Sequence, residues 1–467
     1  FKNLVYIFLF VLLSLNHINS QGIERPNVIL IMADDIGFEA IGVNGSTSYN
    51  TPILDSLAKN GINFTKALSQ PLCTPSRVKI MTGKFNYKNY DRFAYLNSNQ
   101  KTFGNLFKEN GYKTAIVGKW QLNGIHYKDL NEISKDRSRP NKFGFDEYSL
   151  WQLDKLKIHG ERFANPLIVE NGKELPRNKD AYGPDIVSDY AVDFIKRNKE
   201  NKFFLYYPML LVHDPFVPTP DSPEWDLLET RSEKNNRFFV DMVAYMDKIV
   251  GKIMNELNEQ GIADKTLVLF VGDNGTNSKL ISQTISGPVR GGKGNTITHG
   301  VNVPMIAYWP STIQNSRTYH GLVNFNDFYA TFSDILNVSD DSDGKSMMDI
   351  FTKEKQLKRD IVTIYYDSKW GKNKYRNVFS QSDQDELIKK YNEEDRKKLF
   401  VLKPIYQRSL IVLAGPVANF VLAAVIFLFI YMFAGKDFTP AVINEVQVES
   451  PAAEAGLKKN DIILEID

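Results

Sequence analysis

The single cysteine of the chain, Cys73, opens a short segment with the chemistry of an anion site. Thr74 and Pro75 favour the N-cap and first turn of a helix, and Gly83 is suited to ending it. Cys73 is therefore predicted at a helix N-terminus, where free N–H groups favour an anion. Arg77 adds a fixed positive charge one turn further on. A lone cysteine is more often a buried hydrophobe, but these polar and cationic neighbours favour chemistry.

Acidic and amide side chains follow two apolar runs of the sequence. Asp34 and Asp35 come directly after one run, and Asp273 and Asn274 come after another. Because the carboxyl ends of parallel strands meet at one edge of a sheet, these side chains are expected to share a crevice. Three carboxylates there require a cation, and oxygen ligands favour Ca²⁺, with Mg²⁺ as the second choice. The first acidic pair taken alone is equally consistent with a turn or a helix N-cap.

An alternation of apolar runs and helical patterns predicts the scaffold that positions these groups. The apolar runs are typical of strands buried on both faces and lie at 27–32, 114–117, 203–207, 266–271 and 303–308. Helical patterns lie between them at 52–60, 103–110, 186–199 and 236–260. Three of these helices precede glycines expected at C-cap positions with positive φ: Gly61, Gly111 and Gly261. The alternation predicts an α/β fold with a mainly parallel central sheet flanked by helices. Lys119 and His213 then follow two of its strands.

The composition excludes several classes of protein. The chain has 467 residues, of which 43% are hydrophobic and 24% charged, and its formal net charge is +2. This length and hydrophobic content support a sizeable core and exclude a disordered or collagen-like chain. The near-neutral charge gives no support for nucleic-acid binding. One cysteine excludes an intrachain disulfide and a zinc ribbon.

The motifs around these residues resemble those of type I sulfatases, which share the alkaline-phosphatase-like fold. The most specific match is C-x-P-x-R at 73–77, followed by Thr-Gly at 82–83. Further motifs occur in the same order at 26–28 with 34–35, 118–120, 213–215, and 272–275 with 290–294. The resemblance spans about residues 25–379. It places a catalytic domain at 21–379 whose C-terminal part is expected to be truncated.

The resemblance implies a sulfuric ester hydrolase with a sulfated small molecule or glycan, above all a carbohydrate, as its substrate. It implies that a maturation enzyme oxidises Cys73 to formylglycine, whose hydrate is the nucleophile. The implied Ca²⁺ ligands are Asp34, Asp35, Asp273, Asn274 and the oxygen derived from Cys73. The implied catalytic residues are Cys73, Arg77, Lys119, Gln121, His213 and Lys293. The lysines would bind sulfate oxygens, and His213 would protonate the leaving alcohol or hold the sulfate.

Gln121 departs from the pattern of the resembled family, which usually has histidine two residues after Lys119. Glutamine can hydrogen-bond a diol hydroxyl but cannot take its proton at neutral pH, which puts sulfate release in question. One alternative is a phosphodiester or phosphonate ester hydrolase of the same superfamily. Another is a degenerate hydrolase that serves as a membrane-tethered PDZ-type binding protein. Large aromatic residues offer a candidate sugar platform at Trp151, Phe216 and Trp225, although such residues more often pack in a core.

The N-terminal segment 1–20 has the features of a secretory signal peptide. A lysine precedes an apolar run at 4–13, and Ser20 is a small residue at a suitable cleavage point. A buried first strand or helix is the alternative. Export to the periplasm or the cell exterior is expected, and it would place Cys73 in an oxidising compartment.

The C-terminal segment has a different character. Residues 409–434 carry no charge and exceed the roughly 20 residues that cross a bilayer, which predicts a transmembrane helix. The basic linker at 380–408 would then be cytoplasmic, in conflict with export. Residues 403–420 resemble a site-2-type intramembrane metalloprotease, and 440–467 resemble the start of its PDZ domain. The zinc motif H-E-x-x-H is absent from the sequence, so protease activity is not expected. A misjoined reading frame is favoured over a natural fusion.

Overall fold

A large sheet organises the first of two units of the chain, residues 1–376 and 377–467. The computed structural model describes residues 24–155, 161–359, 361–365, 407, 410, 420–429 and 441–463. Within these residues the sheet has eleven strands: β1 (Asn27–Ala33), β2 (Ile62–Leu68), β3 (Lys113–Lys119), β4 (Glu147–Trp151), β5 (Ile168–Glu170), β6 (Lys173–Glu174), β7 (Phe203–Pro208), β8 (Thr266–Gly272), β11 (Asn302–Tyr308), β12 (Arg317–Tyr319) and β13 (Val323–Asn324). A separate hairpin joins β9 (Ile281–Thr284) and β10 (Gly287–Arg290).

The strand order confirms the predicted α/β architecture and corrects its outer parts. The order is β12-β2-β11-β8-β1-β7-β3-β4-β5-β6, and β13 also pairs with β2. The five neighbours β8, β1, β7, β3 and β4 are all parallel. By contrast, β11 is antiparallel to both β8 and β2, and β5 is antiparallel to β4. The sheet is therefore mixed, with a parallel centre.

Helices cover both faces of the central strands, which explains the continuous apolar runs. Alternate residues of β1 enter different cores: Ile29 and Ile31 pack in one, and Val28 and Leu30 in the other. The first core includes α1 (Pro52–Lys59), α7 (Gly183–Arg197) and α8 (Phe238–Glu259). The second includes α2 (Cys73–Thr82), α4 (Phe103–Glu109), α10 (Asn326–Leu336) and α11 (Met348–Lys353). Short helices at α3 (Asn86–Asn89), α5 (Asn131–Lys135), α6 (Arg139–Lys142) and α9 (Thr298–Val301) complete the unit within the described residues.

The predicted helix ends are confirmed at two of three glycines. Gly111 and Gly261 have φ of +83° and +66°, the left-handed conformation expected after a helix. Gly61 does not have positive φ. A side chain at this position would collide with the backbone carbonyl of Ala307. Gly61 is therefore required by the close approach of β11 and not by a C-cap.

The helix that carries Cys73 begins two residues earlier than predicted. Cys73 is its first residue, Leu72 is the N-cap, and Gly83 ends it with φ of +67°. The Thr74 hydroxyl does not cap the helix and accepts a hydrogen bond from the Ala94 N–H at 3.1 Å instead. All ten residues of α2 are buried. The prediction that Cys73 lies at a helix N-terminus is confirmed.

The second unit is described only in part. Residues 420–429 are helical, and β14 (Ala441–Val442) pairs antiparallel with β15 (Ile462–Ile463). A short helix, Pro451–Glu454, is capped by the Ser450 hydroxyl. The predicted segment 1–20 and nearly all of 380–408 lie outside the described residues, as does 409–434 apart from 410 and 420–429. None of the helices in the described residues has the length and apolarity needed to cross a membrane.

Replacing Lys79 with methionine is expected to stabilise the fold in a pH-dependent way. Lys79 is fully buried in α2, with Nζ 3.4 Å from the Thr363 carbonyl oxygen. Burial lowers the pKa of Lys79 to about 7. Because this lies below the unfolded value of about 10.4, the lysine destabilises the fold increasingly as pH falls from 10, and fully below pH 7. Lys79→Met should gain a few kcal/mol, on the order of 3–5, near pH 6.

Thermal denaturation between pH 6 and pH 10 measures this effect. The gain in Tm of Lys79→Met should be largest near pH 6 and should shrink towards pH 10. The matched control is Lys128→Met, because Lys128 is exposed. A gain that does not vary with pH would contradict the argument.

Candidate active site

The carboxyl ends of the parallel strands bring the predicted acidic residues together. β1 and β8 pair in register to their last residues. The pairs Asp34–Asp35 and Asp273–Asn274 therefore begin at the same level of the sheet. The backbone N–H of Asp35 donates to Asp273 Oδ1 at 2.9 Å, and Asn274 Nδ2 donates to Asp35 Oδ1 at 2.8 Å. The shared crevice predicted from the sequence is confirmed for these four residues.

Cys73 enters this cluster from the N-terminus of α2. Its Sγ lies 3.3 Å from Asp34 Oδ1 and 3.5 Å from Asp35 Oδ1. Ligand atoms of Asp34, Asp35, Cys73 and His213 lie within 4.8 Å of one another. The cysteine side chain is therefore in direct contact with two of the carboxylates.

Cationic side chains surround the carboxylates. Lys119, the last residue of β3, donates from Nζ to both carboxylate oxygens of Asp34 at 2.9 and 2.7 Å. Arg77 Nη2 lies 3.4 Å from Asp273 Oδ2, and Arg77 Nη1 donates to the Lys119 carbonyl oxygen at 2.8 Å. Both cationic side chains are almost fully buried. The arginine therefore holds the backbone of the lysine strand as well as an acidic residue.

Lys293 reaches the cluster from a loop packed against the end of β8. Its backbone N–H donates to the Thr276 carbonyl oxygen at 3.0 Å. A side chain on Gly291 or Gly292 would collide with the facing backbone, so this loop can approach closely only with glycine. Lys293 Nζ forms an ion pair with Asp35 and lies 3.1 Å from His213 Nε2.

His213, which follows β7, faces the same lysine as a neutral ring. Its Nδ1 lies 2.6 Å from the Asp214 carbonyl oxygen, which can only accept, so Nδ1 carries the proton. The Nε2 lone pair then faces Lys293 Nζ, with Asp35 Oδ2 at 3.5 Å. Burial lowers the pKa of His213, and this outweighs the opposite effect of Asp35. The histidine therefore has an unprotonated nitrogen at the opening of the site.

The pKa values of the buried acids and the thiol shift in different directions. Burial alone would raise the pKa of Asp34, but Lys119 and other cations hold it well below its usual range. Burial and repulsion from Asp34 raise the pKa of Asp273. Burial, together with Asp273, raises the pKa of the Cys73 thiol well above its usual value. Reactive cysteines have lowered pKa values, so the unmodified thiol is a poor nucleophile at neutral pH.

The donor set fits a hard divalent cation. Asp34, Asp35, Asp273 and Asn274 supply carboxylate and amide oxygens, the ligands that Ca²⁺ and Mg²⁺ prefer. Within the described part of the chain, Asn274 Oδ1 is buried without a hydrogen-bond partner. A cation would satisfy this orphaned oxygen and relieve the repulsion that acts on Asp273. The Nε2 atom of His213 lies 3.1 Å from Lys293 Nζ, so His213 is not counted among the cation ligands.

Gln121 lies at the same edge of the sheet, two residues after Lys119, with φ of +53°. Its backbone N–H donates to the Gln152 carbonyl oxygen at 3.3 Å. Its Oε1 is buried and has no hydrogen-bond partner among the described residues. The assignment of Gln121 to catalysis stays a prediction.

Sequence reasoning missed Arg162. Its Nη1 lies 3.4 Å from Asp34 Oδ2, and its guanidinium carbon lies 4.2 Å from the ring centroid of Trp151. Arg162 belongs to no helix or sheet strand, so no periodicity marked it.

The aromatic residues offered as a sugar platform have another role. Trp151, Phe216 and Trp225 are all buried in the hydrophobic core. Packing therefore accounts for all three, and that prediction is wrong. One of them, Trp151, also supports the guanidinium of Arg162.

Comparisons with known proteins agree with this arrangement. The sequence model described as Sulfatase matches residues 26–338. The N-acetylgalactosamine-6-sulfatase of Mus musculus is 28% identical over 77% of this chain and 72% of that enzyme. The steryl-sulfatase of Homo sapiens is 26% identical over 74% of this chain and 73% of that enzyme. The crystal structure of Ps i-CgsB is 28% identical, with a TM-score of 0.61 over 71% of this chain and 77% of that one.

The chain is shorter than several of these relatives. It spans 64% of the length of the canine and human N-acetylgalactosamine-6-sulfatases. The matched family region ends at residue 338, before the second unit begins at Asn377. The resemblance of the C-terminal segment to a metalloprotease with a PDZ domain therefore stays a prediction.

Ca²⁺ is expected to stabilise the folded chain through the acidic cluster. A ligand that binds only the native state stabilises it by about 2.7 kcal/mol at 100 times its Kd. Asp273→Asn removes one charged ligand, the cost of burying its charge and its repulsion with Asp34. The variant should therefore have a higher Tm than wild type without Ca²⁺. It should also show a smaller rise in Tm when Ca²⁺ is added. Thermal denaturation in Ca²⁺ and in chelator measures both.

The matched control for this prediction is Asp247→Asn. Asp247 is also buried, but its carboxylate accepts from the N–H groups of Ile53 and Leu54 at the start of α1. This variant should keep the full Ca²⁺-dependent rise. If Asp273→Asn also kept it, the assignment of the cation site would be wrong.

Proposed function

The chain belongs to the sulfatase family of sulfuric ester hydrolases, and we propose that it cleaves a sulfate ester of a carbohydrate with a nucleophile derived from Cys73. The observation that carries this proposal is the contact of Cys73 Sγ with Asp34 and Asp35 inside a ring of cationic side chains. Such a site suits an anionic ester, because positive charges are held in place before the substrate arrives.

A carbohydrate substrate is supported by the relatives and by the polarity of the opening. A relative named for N-acetylgalactosamine-6-sulfate is among the matches. The partly exposed groups at the opening are His213, Lys293 and Asp214, all of them polar. An apolar sterol would desolvate these groups without replacing their hydrogen bonds. A hydroxyl-rich sugar can replace them.

We propose that a maturation enzyme converts Cys73 to formylglycine. The buried, protonated thiol is a poor nucleophile, whereas a hydrated aldehyde at this position would offer a hydroxyl. A divalent cation, Ca²⁺ in preference to Mg²⁺, would be held by Asp34, Asp35, Asp273, Asn274 and this oxygen, and would supply the charge that favours the alkoxide. The N-terminus of α2 and Arg77 favour negative charge at the same point.

The remaining residues would hold the sulfate and move protons. Lys119 pairs with Asp34, and Lys293 pairs with Asp35. We assign to each lysine the binding of one sulfate oxygen. The Lys293–His213 pair shares a hydrogen bond at the opening, where the leaving oxygen would lie. Gln121 can only hydrogen-bond, so we assign the proton transfers to this pair.

We further propose that the chain is exported, as the apolar segment near its N-terminus suggests. Export would place Cys73 where an unmodified thiol is exposed to oxidants, and conversion to formylglycine removes that thiol. Membrane attachment through 409–434 depends on that segment being a genuine part of the protein.

Cys73 is expected to carry formylglycine when the chain is produced together with the maturation enzyme. Peptide mass mapping of the Cys73 peptide checks this. Cys73→Ala should lower kcat by several orders of magnitude on a sulfated sugar, because the nucleophile is lost. Lys119→Met should lower it by about 10²–10³-fold. An unmodified thiol in that material would favour the degenerate binding protein instead, and thermal unfolding of both variants controls for misfolding.

An aryl sulfate is expected to be cleaved faster than the matching aryl phosphonate. Phosphoryl and sulfuryl transfer have similar geometry, so only the comparison of kcat/KM separates the two activities. The pair 4-nitrophenyl sulfate and a 4-nitrophenyl phosphonate monoester provides it in one assay. A clearly faster phosphonate would replace the sulfatase assignment with the alternative hydrolase.

A further inference from the structure

The site holds one cation more than its chemistry requires. Three carboxylates, of Asp34, Asp35 and Asp273, are balanced by a divalent cation and one further positive charge. Two of the three expected cationic side chains, Arg77, Lys119 and Lys293, then remain to balance the nucleophilic alkoxide and one sulfate monoester. Arg162 adds a fourth positive charge, and besides Asp34 it acts on the half-exposed carboxylate of Asp214.

Arg162 lies just inside the opening of the site. Its side chain is 7% exposed, between the fully buried Lys119 and the more exposed Lys293 and His213 at 16% and 18%. Burial lowers the pKa of His213, and the charge of Arg162 adds to that shift. Asp214 also lies at this opening, but its carboxylate is half-exposed to water and contacts His213 Nδ1 at 3.0 Å. Arg162 therefore belongs with the groups that a bound substrate would meet.

The guanidinium of Arg162 is held in place, and most of its donors have no hydrogen-bond partner among the residues that the structure describes. The guanidinium stacks on the ring of Trp151. The backbone carbonyl oxygen of Trp151 accepts from the backbone N–H of Trp120 at 3.1 Å, which ties Trp151 to the end of β3. Among the described residues, the Arg162 side chain makes one hydrogen bond, from Nη1 to Asp34 Oδ2 at 3.4 Å. An arginine has five N–H donors in a planar fork that matches an oxyanion. A guanidinium held in this way, just beneath Lys293 and His213, has the chemistry to bind such a group.

We propose that Arg162 binds a second oxyanion of the substrate, next to the sulfate that is cleaved. The substrate class is then a carbohydrate that carries two anionic groups, the second being either another sulfate or a carboxylate. This inference rests on the proposed function. It assigns Arg162 to substrate selection and leaves the cleaved sulfate to Lys119 and Lys293.

The test compares three substrates with the same sugar backbone. One carries a single sulfate, the second carries an added sulfate, and the third carries an added carboxylate. Wild type should prefer one or both doubly anionic substrates in kcat/KM, and the preferred one identifies the second group. Arg162→Gln should reduce that preference by about 10–100-fold, as expected for a lost charge-assisted hydrogen bond.

The matched control is Arg231→Gln. Arg231 also stacks on a tryptophan, Trp225, at 4.9 Å and pairs with an aspartate, Asp180, but none of its described contacts is in the site. This variant should keep the wild-type preference. Calorimetric binding of the singly and doubly anionic sugars to Cys73→Ala, with and without Arg162→Gln, gives a second readout that needs no turnover.

The outcomes separate the inference from the proposed function. An equal loss on all three substrates in Arg162→Gln would place the arginine on the cleaved sulfate and overturn the inference. An unchanged preference, or no preference in wild type, would also overturn it. If wild type cleaves neither these sugars nor 4-nitrophenyl sulfate, the proposed function itself fails.

Discussion

Burying three carboxylates at one edge of a sheet is the constraint on which the site depends. An unpaired buried charge is costly, and the cost is offset only by partners in good geometry. Asp34 illustrates this, because it is fully buried and contacts Lys119 and Arg162 directly. The cations that compensate the acids therefore hold the cluster together. Binding a sulfate would redirect charges that the fold already holds in place.

The scaffold follows from the same constraint. Parallel strands deliver their carboxyl ends to a common edge, so acidic pairs separated by more than two hundred residues meet at one level. α2 brings Cys73 with its helix N-terminus facing the acids, and the glycine-containing loop brings Lys293. Another buried acid lies elsewhere in the unit: Asp327 of α10 accepts from both terminal nitrogens of Arg359, which ties the segment after α11 to α10.

The cationic side chains of the site lie at different depths. The deepest cations, Arg77 and Lys119, contact acids of the cluster and a backbone carbonyl, whereas the one side-chain hydrogen bond of Arg162 within the described residues goes to Asp34. Lys293 and His213, which are more exposed than Arg162, face each other nearer to solvent. The exposure of the cationic side chains therefore increases from Lys119 through Arg162 to Lys293.

The sequence by itself determined the fold class and most of the site. Continuous apolar runs and strand-end polar residues sufficed because the physics behind them is local: a strand buried on both faces must be apolar, and its end must be polar. The motif at 73–77 marked Cys73 through its resemblance to the sulfatase pattern, and this residue is the first of α2. Only the tertiary structure decided the antiparallel direction of β11, the close approach at Gly61 and the burial of Trp151, Phe216 and Trp225. It alone placed Arg162 beside Asp34, because that contact joins residues 128 apart through packing on Trp151, which no spacing in the chain encodes.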